Sequence, residues 1–314
     1  MYEEQLSLEL PVNPALKQKP WWGGLLIFLG AVMVVIGLGY ALLHVLGNLL
    51  LILLGLLFSY LGMRLINRGK RHFVPVGLDQ LKKDRRPPVL YLRPFTQDGT
   101  ISLMTWNAVN RSMGEKGFWR QGSTSLFRFV DTYEQFISLA FRKVGPVAAI
   151  GNPTEGLPEL GAIRIYVGID GDWQQMVSIL ASQASYVLLQ IGKSDGLMWE
   201  VQYVIQHVRP EQLILFLPNQ NEKTSIRLKR RDNFQKREQV RQDVWQIFRT
   251  KTQNFFPQPL PVKIGSAMLI HFDQDWVPVP TYFRSEPVFS FKRKQPSLTD
   301  PKLEALNWLN SILC

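Results

Sequence analysis

The sequence predicts an α/β protein: an N-terminal two-helix transmembrane hairpin, followed by an open, mostly parallel sheet with helices on both faces. Three observations carry that prediction. Two uncharged apolar stretches follow one another near the N-terminus, short apolar runs recur from Pro88 onward, and amphipathic segments of helical period separate those runs. The chain accordingly divides into a cytoplasmic tail (1–20), the hairpin (21–66), a basic juxtamembrane linker (67–87), a cytoplasmic α/β domain (88–275) and a Pro-rich C-terminal extension (276–314) with a last helix over Pro301 to Leu313.

The first apolar stretch, Trp21 to Leu43, holds no charge and is long enough as a helix to cross a hydrocarbon core of about 30 Å. A break at His44, Gly47 and Asn48 leads to the second, Leu49 to Met63, with Arg64 placed to snorkel toward the interface. A cleaved signal would need a shorter apolar core and no second run behind it, so both stretches are expected to stay in the membrane. Arg64, Arg68, Lys70, Arg71, Lys82, Lys83, Arg85 and Arg86 crowd the exit, Lys17 and Lys19 precede the entry, and the turn carries no Lys or Arg. By the positive-inside rule this expects a two-span protein of the cell membrane with both termini in the cytoplasm. Gly24, Gly30, Gly37, Gly39, Gly55 and Gly62 are expected to let the two helices approach closely.

Strands are expected over Val89–Leu92, Val147–Ile150, Ile163–Val167, Tyr186–Ile191, Leu213–Leu217 and Met268–Phe272. Helices are expected over Thr132–Lys143, Asp172–Gln183, Leu197–Val208 and Ile226–Thr250, with Asp172 as an N-cap. The Pro-rich stretch beyond Phe255 is expected to wrap the surface. In such sheets ligands bind outside the carboxyl ends of the strands, which draws attention to Arg93 to Asp98, Gly151 to Glu155 and Gly192 to Glu200.

Composition narrows the function classes. The formal charge is +11, and Lys17, Lys19 and Arg64 cancel Glu3, Glu4 and Glu9, so the excess belongs to residues 67 to 314. For a tethered domain this favours anionic lipid headgroups as a partner over nucleic acid, for which no recognition motif is present. The basic stretch from Lys223 to Lys251 reads as a solvated helix face or as a headgroup contact. The single cysteine, Cys314, rules out a disulfide within the chain and agrees with a reducing compartment. His44, His72, His207 and His271 are scattered, Walker and dinucleotide loops are absent from the soluble part, and neither a metal site nor a cofactor is expected. Homo-oligomerisation is left open.

The feature with most chemical content is Ser194-Asp195-Gly196-Leu197-Met198-Trp199-Glu200, which follows a core strand and sets a carboxylate near the start of a helix. The order of strand, short polar loop, helix bearing Trp-Glu and strand resembles the corresponding region of TIR (Toll/interleukin-1 receptor) domains and of nucleoside deoxyribosyltransferases, over roughly Pro88 to Pro218, with a strand added after the loop Gly151 to Gly161. The resemblance implies a TIR-like, flavodoxin-like fold, a nucleotide-type ligand, cleavage of an N-glycosidic bond with Glu200 as the catalytic carboxylate, and a signalling or defence setting. Arg93 and Asp98 would then hold a phosphate and a ribose hydroxyl, Ser194 and Asp195 would line the cleft, and Trp199 would stack on a base. A capping role for the carboxylate and a core role for the tryptophan stand beside this reading. So does a non-catalytic, membrane-anchored interaction module.

Overall fold

The computed structural model describes residues 16–44, 48–94, 133–167, 173–217, 230–265, 267 and 269–281, with side chains of the long basic helix described from residue 239. Asp172, Asp98, the terminal helix and the stretch between the first strand and residue 133 lie outside these residues.

Two long helices open the described chain, α1 (Pro20–Leu43) and α2 (Leu49–Arg71), and each is long and apolar enough to cross a membrane. They form an antiparallel pair with a seven-residue rhythm. Gly23, Gly30, Val34, Gly37 and Ala41 are the buried residues of α1, and Gly55, Ser59, Gly62, Ile66 and Gly69 those of α2. A Cβ added at Gly30 would stand 2.5 Å from the Gly62 carbonyl oxygen, and one at Gly55 would stand 2.5 Å from that of Gly37. Backbone therefore meets backbone along the seam, an approach that only glycine permits. The seam corrects the expectation in two places: Gly24 and Gly39 face open space, and Gly23 and Gly69 take their place. A heptad step separates the contacting glycines, and the two displaced ones are out of that step.

The segment expected as a linker belongs to the fold. After α2 the chain lays Val76 beside Arg164 in a parallel bridge, and a short helix α3 (Leu78–Lys82) buries Leu78 and Leu81 in the core. The helical pair is also fastened to the domain at its foot. Arg71 donates to the carbonyls of Pro158 (2.9 Å) and Leu157 and pairs with Glu159 at 3.0 Å, and the Lys17 N–H donates to the Gly156 carbonyl at 2.8 Å.

Seven strands form one sheet, β1 (Val89–Leu92), β2 (Val147–Ile150), β3 (Ile163–Ile165), β4 (Tyr186–Gln190), β5 (Leu213–Phe216), β6 (Leu269–Phe272) and β7 (Pro278–Thr281), in the spatial order β3-β2-β1-β4-β5-β6-β7. The first five are parallel and the last two antiparallel. The central strands β1, β2 and β5 are buried at every position, as expected of a parallel sheet covered on both faces.

Alternate side chains serve the two faces. Leu90, Leu92, Val187, Leu189, Leu213 and Leu215 pack under α5 (Trp173–Gln183), α6 (Asp195–His207) and α7 (Arg230–Thr252). Val89, Tyr91, Leu188, Ile214, Phe216 and Leu269 belong to the opposite core, which takes Ile137 from α4 (Tyr133–Ala140) and Phe141 just beyond it. The basic helix α7 is anchored by an apolar stripe of Val244, Trp245 and Phe248, and buried Arg241 donates to the carbonyls of Ala267 (2.7 Å) and Gly265.

Strand β7 lies in the stretch expected to wrap the surface, and it extends the domain past residue 275. Pro280 faces Ile270 and Pro278 faces Phe272, positions two apart in an antiparallel ladder. A proline has no N–H to give, so both nitrogens are tolerated because they point away from β6.

Chain order reverses between β1 and β4: β2 and β3 extend the sheet one way, and β4 to β7 extend it the other. In open α/β sheets such a reversal is where ligands bind, here at the carboxyl ends of β1 and β4.

A leucine at Gly30 should force the seam apart and cost about 1–3 kcal/mol or more, whereas leucine at Gly39 should be silent. Thermal unfolding of the full chain in detergent, followed by helical circular dichroism, checks both.

Candidate functional site

Two strand ends and one helix build the crevice. β1 delivers Arg93, β4 delivers Gln190 and Ile191, and α6 rises directly behind β4. The two loops touch at Gly192, where any Cβ would collide with the Pro94 ring.

Arg93 is almost fully buried, and its surroundings are built for a cation. Its Nη1 donates to the Ile150 carbonyl at 3.2 Å, its Nε lies 3.3 Å from Glu134 Oε2, and its guanidinium stands 5.6 Å from the Tyr91 ring centre. Glu134, from the first turn of α4, also accepts from Arg164 Nη2 at 2.9 Å and from the Ala162 N–H at 3.0 Å. Arg164 lies within 3.8 Å of Glu155, whose carboxylate accepts the Tyr166 hydroxyl at 2.5 Å. Burial first, and Glu155 second, push the Tyr166 hydroxyl well above the ordinary phenol range. On the other side of Arg93 the Tyr91 hydroxyl donates to the Gln190 side-chain carbonyl.

Glu200 sits in the second turn of α6. The residue keeps part of its surface exposed, yet protein atoms crowd its carboxyl enough that burial pushes it up to about 8 from 4.5, and the Arg93 charge opposes that rise. Burial therefore favours the protonated form of Glu200. Glu200 is thus an acid that can donate, held within the field of a fixed cation.

The other nominated residues have different placements. Ser194 caps α6 by its extended backbone without a side-chain hydrogen bond, and it is exposed. Asp195 is fully exposed, 3.5 Å from Lys251 on α7. Trp199 belongs to an aromatic ladder: it meets Trp173 edge-on at 5.1 Å and stacks on Tyr203 at 5.2 Å, and Tyr203 in turn stacks on His207. Arg93 keeps to the α4 side of the sheet beside Glu134 and Tyr91 and acts on Glu200 of α6 through its charge alone, Ser194 and Asp195 lie at the surface by the α6 N-terminus, and Trp199 packs between helices.

Sequence reasoning missed Glu134, Arg164, Tyr166 and Gln190, whereas Glu155 closes the stretch Gly151 to Glu155 that it singled out. Two of them carried a signal, because Arg164 and Gln190 interrupt otherwise apolar buried runs, where a polar side chain needs a partner. Among the described residues no group of three or more His, Cys, Asp or Glu side chains gathers as metal ligands would. Comparison with family models, with curated proteins and with solved structures gives no match to this chain. The reading of the crevice rests on its geometry.

Replacing Glu134 by Gln should leave two buried guanidinium groups facing no charge of that strength and destabilise the domain by about 3–5 kcal/mol, measurable as a fall in melting temperature. Glu200 acts in the opposite sense. Its pKa is raised on folding, so its stabilising contribution is complete below about 4.5 and is lost as pH rises to about 8. Melting temperatures taken from pH 4.5 to 8 should fall more steeply for the wild-type chain than for Glu200→Gln.

Proposed function

We propose that this protein is a membrane-anchored, TIR-like α/β domain that binds a nucleotide-type ligand in the crevice between β1 and β4 and cleaves an N-glycosidic bond, with Glu200 as proton donor. What supports the reading is the crowding of the Glu200 carboxyl on the helix behind β4, which raises its proton affinity while the charge of Arg93 opposes that rise. Strand order supports it as well. With the edge strand β3 set aside, the parallel strands run β2-β1-β4-β5, the flavodoxin-type arrangement, whose ligands sit at this reversal.

The chemistry follows from the proton. Glu200 gives it to the departing base as the C1′–N bond breaks, and the bond electrons leave with the base. The ribose takes on oxocarbenium character, and the carboxylate just formed stabilises that charge until water adds at C1′ and yields its own proton. Arg93, engaged by Glu134 and Ile150, acts here as a fixed charge from within the fold.

The membrane half of the proposal places α1 and α2 across the bilayer with both ends on the cytoplasmic side. Support comes from the basic residues gathered at one end: Lys17 and Lys19 before α1, and Arg68, Lys70 and Arg71 in the last turns of α2.

A second reading, a non-catalytic interaction module in a signalling assembly, draws support from Trp199, whose ring is already occupied by Trp173 and Tyr203. Incubating the full chain in lipid vesicles with nucleosides, whose bases need a proton to leave, separates the two. The enzymatic reading expects free base by chromatography, loss of at least about a hundredfold in Glu200→Gln, and a rate that is flat below about pH 8 and falls above it. A rate that rises through that range makes Glu200 an anionic nucleophile instead. No release of base at any pH, with self-association intact, favours the module.

A further inference from the structure

The glycine seam fixes the level of every residue in the helical pair, and those levels do not match an ordinary bilayer. Gly23 meets Gly69, Gly30 meets Gly62, and Gly37 meets Gly55. In this register Arg64 of α2 lies level with Phe28 and Leu29 of α1, two turns inside the end marked by Trp21 and Trp22. The length over which both helices are uncharged is only Leu29–Leu43 against Leu49–Met63, about 15 residues or roughly 22 Å. A typical hydrocarbon core is about 30 Å thick.

The Arg64 side chain does not extend toward the basic end. Arg64 is exposed on the outer side of α2, and its guanidinium lies over the Tyr60 ring at 5.6 Å, one turn away from the basic end. That is the direction in which helical side chains lean, toward the helix N-terminus, so the cation moves deeper instead of outward. Arg68 is exposed one turn further along. Beside these basic turns, Trp21, Trp22 and Phe73 expose 68%, 43% and 53% of their surfaces. Such rings suit the headgroup layer, which then has to reach down as far as Arg64.

Resting on the membrane reading above, we propose that the helical pair is fitted to a thin bilayer, or thins its cytoplasmic leaflet, with headgroup phosphates drawn down to Arg64 and Arg68. The partner is the lipid surface itself, selected by thickness. Mismatch costs fractions of a kcal/mol per Å, enough over this gap to sort the protein between membranes.

The full chain, reconstituted separately into dimyristoleoyl, dioleoyl and dierucoyl phosphatidylcholine vesicles and floated after carbonate extraction, tests this. Retention should favour the shortest lipid over the longest by about tenfold. Arg64→Leu with Arg68→Leu, both outside the seam, should move the optimum to a longer lipid while the helical signal stays unchanged. Equal retention in all three lipids, or a preference that the double substitution leaves in place, overturns the thickness fit and leaves the membrane reading standing. Failure to float with any lipid overturns both.

Discussion

The carboxylate of Glu134 joins parts of the fold that share no backbone ladder. It reaches from α4 to Arg93 at the end of β1 and to Arg164 in β3, and it also receives the Ala162 N–H ahead of β3. One anion between two buried cations, with Glu155 facing Arg164 from the far side, gives a junction whose charges balance. Burying such groups costs several kcal/mol per ion, so the junction holds only while each partner is present. Its value to the crevice is positional. Arg93 is locked in place, and the locked charge is what tempers the proton affinity of Glu200.

The same junction connects the site to the helical pair. The loop from Gly151 to Gly161 carries Glu155 toward Arg164 and, a few residues later, receives Arg71 and Lys17 from the helical pair. Val76 then pairs with Arg164 itself. The domain is joined to the helical pair by hydrogen bonds and an ion pair as well as by the covalent chain, so its orientation relative to the helices is set by packing.

Much of this fold could be read in advance because parallel strands buried on both faces are continuous apolar runs. Val89–Leu92 and Val147–Ile150 match their expected bounds residue for residue, and the other strand ends shift by one or two positions, as terminal residues do. The helix pair was legible in composition, yet its seam was not fully, since choosing Gly23 and Gly69 over Gly24 and Gly39 requires the heptad phase of both helices together. β7 was hidden because proline argues against a strand unless its nitrogen faces outward, which depends on the partner strand. The site divides in the same way. Glu200 could be nominated from local order, since it follows a strand and a polar loop, whereas Glu134, 41 residues after Arg93 in the chain, was invisible because only tertiary structure brings it to Arg93.

The prolines of β7 have a consequence beyond the sheet. Copies confined to one surface encounter each other far more often than copies free in three dimensions, and an uncovered strand is a template on which such neighbours zip together. At Pro278 and Pro280 the outer rim has no hydrogen to offer an incoming backbone, and on the opposite rim Val76 already occupies β3. Domains brought side by side can therefore touch at these rims without merging their sheets.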